Sequence, residues 1–339
     1  LNWIVVFIAL ALLLPIVGAL YQFFGLRRDR RFPPPGRLLD IGGTRVHFDS
    51  MGEGEPLVIF EAGIAATSLS WRRVQPEVAR FTRTIAYDRA GLGWSDASNQ
   101  PRGLARVTQD LRDLIRHVAP EGPVILVAHS YGGLVVREYA ARYPSEIAGL
   151  VLIDPVATSE WSNPAPAHLR NLRRGIRLAR RGGLLARLGV VRFALTLVSA
   201  GARRMPRLIA RASSGAAAGF TDRMAGEIRK LPREIWPMVQ AHWCDPKCFE
   251  TMARYLQALP ASSASVAAHS SLGDLPLVVF SAGNGSRAQR AEHERLARLS
   301  SQGRLETLPA SGHWIQLDHP ELVVDAIREL ALASRTRSA

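Results

Sequence analysis

The chain has 339 residues, 47% of them hydrophobic, enough to bury a large core and to exclude a protein that is mostly disordered. Its 43 Lys and Arg against 29 Asp and Glu leave a formal charge of +14, which favours anionic partners and fixes nothing about the fold. Two cysteines, Cys244 and Cys248, cannot build a disulfide framework; without histidines at ligand spacing their C-x-x-x-C makes no zinc site, so no metal is expected.

The first 26 residues, LNWIVVFIALALLLPIVGALYQFFGL, carry no charge and exceed the roughly 20 apolar residues that a membrane-crossing helix needs. They are read as a transmembrane anchor, with Trp3 and Tyr21 suited to the two interfaces. A cleaved signal peptide, with Val17 and Ala19 as small residues before the cut, is the competing reading. The cluster Arg27 to Arg31 would stay on the cytoplasmic side, making this a single-pass membrane protein with its main domain in the cytoplasm. Residues 27–36, ending in PPPG, read as a basic, proline-rich linker.

From Arg37 the periodicities alternate. Two short strand-like stretches run to Ser50, PLVIFEAG is a buried strand ending at Gly63, and a helix is expected over Trp71 to Phe81. TIAYDRAG gives a strand, LARVTQDLRDLIRHV an amphipathic helix, PVILVAHS a strand, YGGLVVREYAARYP a helix, and IAGLVLIDP a strand ending near Asp154. Strand and helix in turn, with continuous Val, Ile and Leu runs, predict an α/β fold whose mostly parallel sheet is covered by helices. Residues 37–155 are thus the first part of a core. Residues 156–265 depart from the pattern and read as a helical insertion, and 266–333 resume it with PLVVFSAG, a helix over Arg287 to Leu299, the strand RLETLPASG and the helix HPELVVDAIRELAL. Residues 334–339 read as a frayed tail.

The chemistry concentrates at VAHSYGG, Val127 to Gly133. Strand, sharp turn and helix around Ser130 are the setting of a nucleophile elbow, in which small residues two before and two after the serine avoid a clash. Ala128 and Gly132 fill those places. A serine hydroxyl needs a base within hydrogen-bond reach. Of nine histidines, His313 is the candidate, because PASGHWIQLDHPE sets it in a loop between the last strand and the last helix. His129 precedes the serine and is read as pointing elsewhere; His47, His117, His168, His242, His269 and His293 are read as surface or packing residues, and His319 as part of a helix start.

FEAG before Ile64, YDRAGLGWSD, AHSYGG and GHWIQLDHPE together resemble the α/β-hydrolase superfamily from Arg37 to Ala333. The resemblance implies a triad in the order Ser, acid, His, with the inserted segment as a helical cap over the pocket. The more frequent acid position, after the strand following the cap, reads SAGNGS and offers Asn284 in place of a carboxylate. Branches of the family that put the acid one strand earlier imply Asp154, set against a turn or capping role before Pro155. The oxyanion donors implied are the backbone amides of Tyr131 and Ile64. YDRAGLGWSD is read as a structural loop whose Asp and Arg tie loops together.

The segment from Ala157 to Ser265 holds eighteen Lys and Arg against six Asp and Glu. Its interleaved arginines and aliphatics fit an amphipathic helix on anionic lipid or a solvated arginine face over an ordinary cap core; no nucleic-acid module is present. The resulting expectation is a membrane-anchored serine hydrolase acting on small-molecule esters of apolar or lipid-like character through Ser130, Asp154 and His313, with no cofactor. Amide cleavage and acyl transfer use the same groups, and a non-catalytic protein binding lipid or a partner through the basic cap is the rival of a different class.

Overall fold

The computed structural model describes residues 2–98, 100–119, 122–199 and 230–338. The chain divides into two compact units, Leu1–Pro34 with Arg174–Ala253 and Pro35–Arg173 with Arg254–Ala339.

The second unit is built on an eight-stranded sheet: β1 (Arg37–Asp40), β2 (Arg45–Met51), β3 (Val58–Glu61), β4 (Thr84–Tyr87), β5 (Val124–His129), β6 (Ile147–Ile153), β7 (Leu277–Ala282) and β8 (Gly303–Leu308). Their spatial order is β1-β2-β4-β3-β5-β6-β7-β8; β2 runs antiparallel to both its neighbours and every other neighbouring pair is parallel. The continuous apolar runs follow from this, since β3 to β7 are buried along their whole length. Val58, Phe60, Ile125, Val127, Val151, Ile153, Val278 and Phe280, alternate residues of four strands, share one face and pack against Val323, Ile327 and Leu330 of the C-terminal helix. Each such aliphatic or aromatic side chain contributes about 1.5–3 kcal/mol relative to an exposed one.

The register lines up the strand ends that matter. Glu61 pairs with Ala128, His129 with Ile153, and Ile153 with Phe280. The chain therefore leaves β3, β5, β6 and β7 side by side at the carboxyl edge, where parallel sheets place their ligands. Two expected elements differ in extent. Over 71–81 there is only the end of a 3-10 turn, Ser68–Trp71, and one helical turn, Gln75–Val78, whose buried Gln75 side chain donates to the Asp49 carbonyl at 2.9 Å. The last helix, Pro320–Ser338, continues through the segment expected to fray; there Arg335 donates to the carbonyls of Glu55 and Phe81, each at 2.7 Å.

In the first unit, Asn2–Asp29 forms one helix, so the residues Arg27 to Asp29 expected in a linker are helical. The reading of its apolar part as a single-pass membrane anchor, and the membrane localisation drawn from it, are corrected: among the described residues no helix is long and apolar enough to cross a membrane. The physical reason lies in what the second half of the helix does. Gln22, buried, donates to the Cys244 carbonyl at 2.7 Å and accepts from Arg192 at 2.9 Å, and Arg192 also pairs with Asp29 at 2.6 Å. Gly18 lets the Leu188 carbonyl approach so closely that an added Cβ would lie 2.2 Å from its oxygen. This half is a packing element within its own helical unit. Cys244 and Cys248 are buried free thiols in the same unit, and burial pushes each up to about 12.

Candidate active site

Ser130 follows β5 directly and adopts φ 54°, a left-handed conformation that a side chain enters only when its surroundings hold it there. They do: its amide donates to the Ile153 carbonyl at 3.0 Å, and its carbonyl accepts from Gly133 and Val156 at 3.0 and 3.3 Å. The turn needs Gly132, where a Cβ would meet the Glu61 Cγ and the Glu61 and Ala62 carbonyls at 2.7–2.8 Å. Ala128 is fully buried in β5, so the alanine in place of the commoner glycine is accommodated.

Asp154 leaves β6 in the same way, with φ 40° and its amide donating to the Phe280 carbonyl at 2.8 Å. Its carboxylate is nearly buried. Oδ2 accepts from His313 Nδ1 at 2.5 Å and Oδ1 from the Ala282 amide at 3.1 Å. Burial works against the ionised form, but the His313 bond, the His313 charge and the Ala282 amide more than offset it and hold Asp154 below the usual carboxylate range. Asn284, at the more frequent acid position, is exposed. The structure thus brings together His313 and Asp154.

His313 is 44% exposed at its side chain and rides on a loop whose geometry Asp318 braces, accepting from the Gly312 amide at 3.0 Å and the Ser311 hydroxyl at 3.3 Å. Its own carbonyl accepts from His129 Nε2 at 2.9 Å, and the two rings lie 4.6 Å apart. His129 does not point away from the site, as the sequence suggested; it lies between the His313 loop and the β3 exit. A carbonyl partner requires the proton on Nε2, which leaves Nδ1 as a buried acceptor lacking a partner among the described residues. Burial, reinforced by the neighbouring His313, pushes His129 down to about 3, so it is neutral at any working pH.

His293 was also read as ordinary, and it is fully buried behind the acid. Nε2 donates to the Pro155 carbonyl at 2.9 Å, Nδ1 meets the Ser281 hydroxyl at 2.9 Å, and Nδ1 is 4.0 Å from Asp154 Oδ1. Burial lowers its pKa as well. Its one signal in the sequence is helical: Leu296 and Ala297, three and four positions on, are buried with it.

On the other side of Ser130, Gly63 comes so near that an added Cβ would lie 3.0 Å from His129 Nδ1 and 3.6 Å from the Ser130 Cβ. Ile64 follows in a turn, and Tyr131 opens the helix Gly132–Arg142. Among the described residues the amides of Ile64 and Tyr131 have no acceptor, as oxyanion donors require. Behind them Glu61, fully buried, accepts from the Tyr87 hydroxyl and from Arg89. Burial pushes the Glu61 carboxyl up, with Arg89 and Tyr87 pulling against it; the same carboxylate keeps Arg89 protonated although burial opposes its charge. Asp88 ties its loop to two neighbouring segments, taking His47 Nδ1 of β2 at 2.9 Å and the amides of Ser68 and Trp94 at 2.7 and 3.0 Å. Among the described residues no group of three or more His, Cys, Asp or Glu could hold a metal ion.

Comparison with known proteins agrees with this architecture. Residues 56–320 match the family model described as alpha/beta hydrolase fold. A haloalkane dehalogenase of Sphingobium indicum is 29% identical over 133 residues, 38% of this chain and 44% of that protein. The 2-hydroxy-6-oxo-2,4-heptadienoate hydrolase of Pseudomonas putida is 30% identical over 133 residues, 37% and 46% of the two chains. An uncharacterized protein of Bacillus subtilis is 26% identical over 156 residues, 44% and 48%. The chain spans less than half the length of these curated relatives. Among solved structures, an ancestral haloalkane dehalogenase matches with a TM-score of 0.65 and 21% identity, covering 88% of this chain and 99% of that one. An esterase from Thermogutta terrifontis matches with 0.56 and 21%, covering 88% and 99%. These two likenesses carry the fold alone. With strand order, strand-end geometry and a family model that spans most of its length in agreement, this chain belongs to the alpha/beta hydrolase fold family.

Proposed function

We propose that the protein is a serine hydrolase that cleaves carboxylic esters through an acyl-enzyme. The observation that carries this reading is the 2.5 Å bond between His313 Nδ1 and Asp154, on the same sheet edge as a serine held at φ 54°. A hydroxyl at this position distinguishes it from an aspartate nucleophile, which dehalogenase and epoxide-opening chemistry in similar folds employs. Ser130 Oγ attacks the ester carbonyl carbon as His313 Nε2 takes its proton. The carbonyl π pair moves onto oxygen, where the amides of Ile64 and Tyr131 receive it. Collapse breaks the bond to the alcohol oxygen, which leaves with the proton from His313. Water, deprotonated by His313, then attacks the acyl carbon, and the Ser130–acyl bond breaks with the proton returned to Oγ. Asp154 keeps the imidazole in the tautomer with the proton on Nδ1 and balances its charge when doubly protonated.

Small-molecule esters with apolar acyl groups are the proposed substrates; of the segment 156–265 expected as a cap, residues 200–229 lie outside the described residues. A fluorophosphonate probe and a p-nitrophenyl ester series test the reading together. Covalent labelling and turnover are expected in the wild type, and both disappear in Ser130→Ala. A folded wild-type protein that neither labels nor turns over any ester of the series overturns it in favour of a non-catalytic binding protein on the same fold.

A further inference from the structure

The loop Tyr87–Asp96 divides its work between two adjacent charged residues. Asp88 ties the loop to β2 through His47 and to the Ser68 amide, while Arg89 grips the exit of β3 itself. Its guanidinium, 3% exposed at the residue level, donates through Nη1 to the Glu61 carboxylate and to the Ala62 carbonyl at 2.6 Å, and through Nη2 to the Gly63 carbonyl. Three successive residues are thus gripped by one planar group. Its central carbon also lies 5.5 Å from the ring centroid of Tyr131 and 5.0 Å from that of Tyr255. From the opposite side, the Gly132 backbone presses on Glu61 and Ala62 so closely that no Cβ fits between them.

The geometry of the peptide bond gives these contacts a consequence. The Gly63 carbonyl and the Ile64 N–H belong to one rigid trans peptide unit, so they point in opposite directions from a common plane. Whatever fixes the carbonyl fixes the amide. Arg89 Nη2, bonded to the Gly63 oxygen, aims the Ile64 N–H away from itself, and a cationic donor on the carbonyl polarises the unit so that its N–H becomes the stronger donor. Stacking against the Tyr131 ring anchors the residue that supplies the other amide.

We infer that Arg89 is the positioning residue of the oxyanion hole, setting the direction and donor strength of the Ile64 amide through the Gly63 carbonyl; this rests on the ester-hydrolase reading of Ser130. Arginine suits the task because its flat fork of five donors satisfies a carboxylate and two backbone carbonyls at once, which a lysine ammonium cannot match in one plane. Glu61 supplies the counter-charge that lets the cation stay buried.

The test compares Arg89→Lys with the wild type on an oxygen ester and on the matching thionoester, whose carbonyl sulfur is a weaker acceptor for the same amide. Deleting an oxyanion donor outright costs about 10²–10³ in kcat, and misaiming one is expected to cost about tenfold to a hundredfold, with KM within about twofold. The preference for the oxygen ester over the thionoester should shrink by a similar factor. If Arg89→Lys does not fold, the pair Arg89→Gln with Glu61→Gln leaves no buried charge uncompensated and is read in the same way. Unchanged kcat in a folded variant overturns the inference. So does an equal loss on both substrates, which is the signature of a merely structural role. An inactive and unlabelled wild type removes the ester-hydrolase reading itself, and is distinguishable because the Arg89 variant is compared only against an active parent.

Discussion

Two groups of side chains meet at Ser130: His313, Asp154, His129 and His293 form the first, Glu61, Arg89, Tyr87 and the carbonyls of Ala62 and Gly63 the second, and His129 is where the two touch. The first group contains one carboxylate among imidazoles that are bonded to carbonyls, a hydroxyl and that carboxylate. The second is built round the buried Arg89–Glu61 pair. On the proposed mechanism His313 gives up and regains a proton in each cycle, with the Asp154 carboxylate on one nitrogen and its ring partly exposed. On the same mechanism the amides that receive the oxyanion have to keep one geometry throughout, and the Arg89 bonds to the Ala62 and Gly63 carbonyls brace it. The same distinction separates the three imidazoles of the first group. His313 is half open to solvent, while burial keeps His129 and His293 neutral, as hydrogen-bonding posts.

The largest effect that could break this comparison belongs to Asp154. Asp154→Asn keeps the shape but offers the Nδ1 side of His313 a donor where an acceptor is needed, which favours the wrong tautomer. Turnover of a short p-nitrophenyl ester at neutral pH should fall about 10³–10⁴-fold with little change in KM. Retention of more than a tenth of the wild-type kcat would mean that the carboxylate is not what orients the base.

A smaller effect sharpens the picture of how Asp154 is held. The residue sits at φ 40°, and the carbonyl that follows it, that of Pro155, accepts from His293. His293→Phe fills the volume without the donor and leaves that carbonyl unpaired, which costs roughly 1–3 kcal/mol of stability; the loosened hold on Asp154 is expected to lower kcat about tenfold. His293→Gln, whose amide can donate to the same carbonyl, should recover most of it. Equal activities for the two variants would show that volume alone matters at this position.

The sheet was legible because alternation of Val, Ile and Leu runs with amphipathic stretches has one economical solution, and the strand–turn–helix around Ser130 and the loop around His313 are local patterns. Asp154 could be reached only through the resemblance, since one carboxylate before a proline resembles many turns. That Arg89 ties loops was legible, but not which carbonyls it takes; the contacts of His129 and His293 were not legible either. Arg89 works through carbonyls of residues 26 and 27 positions earlier, and His293 through one 138 positions earlier; nothing local in their sequence encodes such contacts. The N-terminal helix misled for a related reason. Its composition invites a span, while the polar contacts of Gln22 and Asp29 that tie its second half to its own unit come from Cys244 and Arg192, far along the chain.

The smallest effect concerns stability and distinguishes a post from a proton carrier. His129 is held down to about 3 in the folded protein, against about 6.5 in an unfolded chain. Above 6.5 both states are neutral and pH has no leverage through this group. As pH falls from 6.5 towards 3 the unfolded chain takes up a proton that the folded one refuses, so stability is lost at about 1.4 kcal/mol per pH unit. Urea unfolding at pH 7 and pH 5 should therefore differ by about 2 kcal/mol from His129 alone, and His129→Gln should remove that share. His293, also lowered by burial, adds a drop of the same sign that His129→Gln leaves in place. The groups facing His129, His313 and Asp154, act in different ways: the first opposes a charge on it and the second favours one. If wild type and His129→Gln lose stability in parallel between pH 7 and 5, His129 accepts a proton in the folded state. His129, its ring 4.6 Å from that of His313, would then be a second proton carrier and not a neutral support.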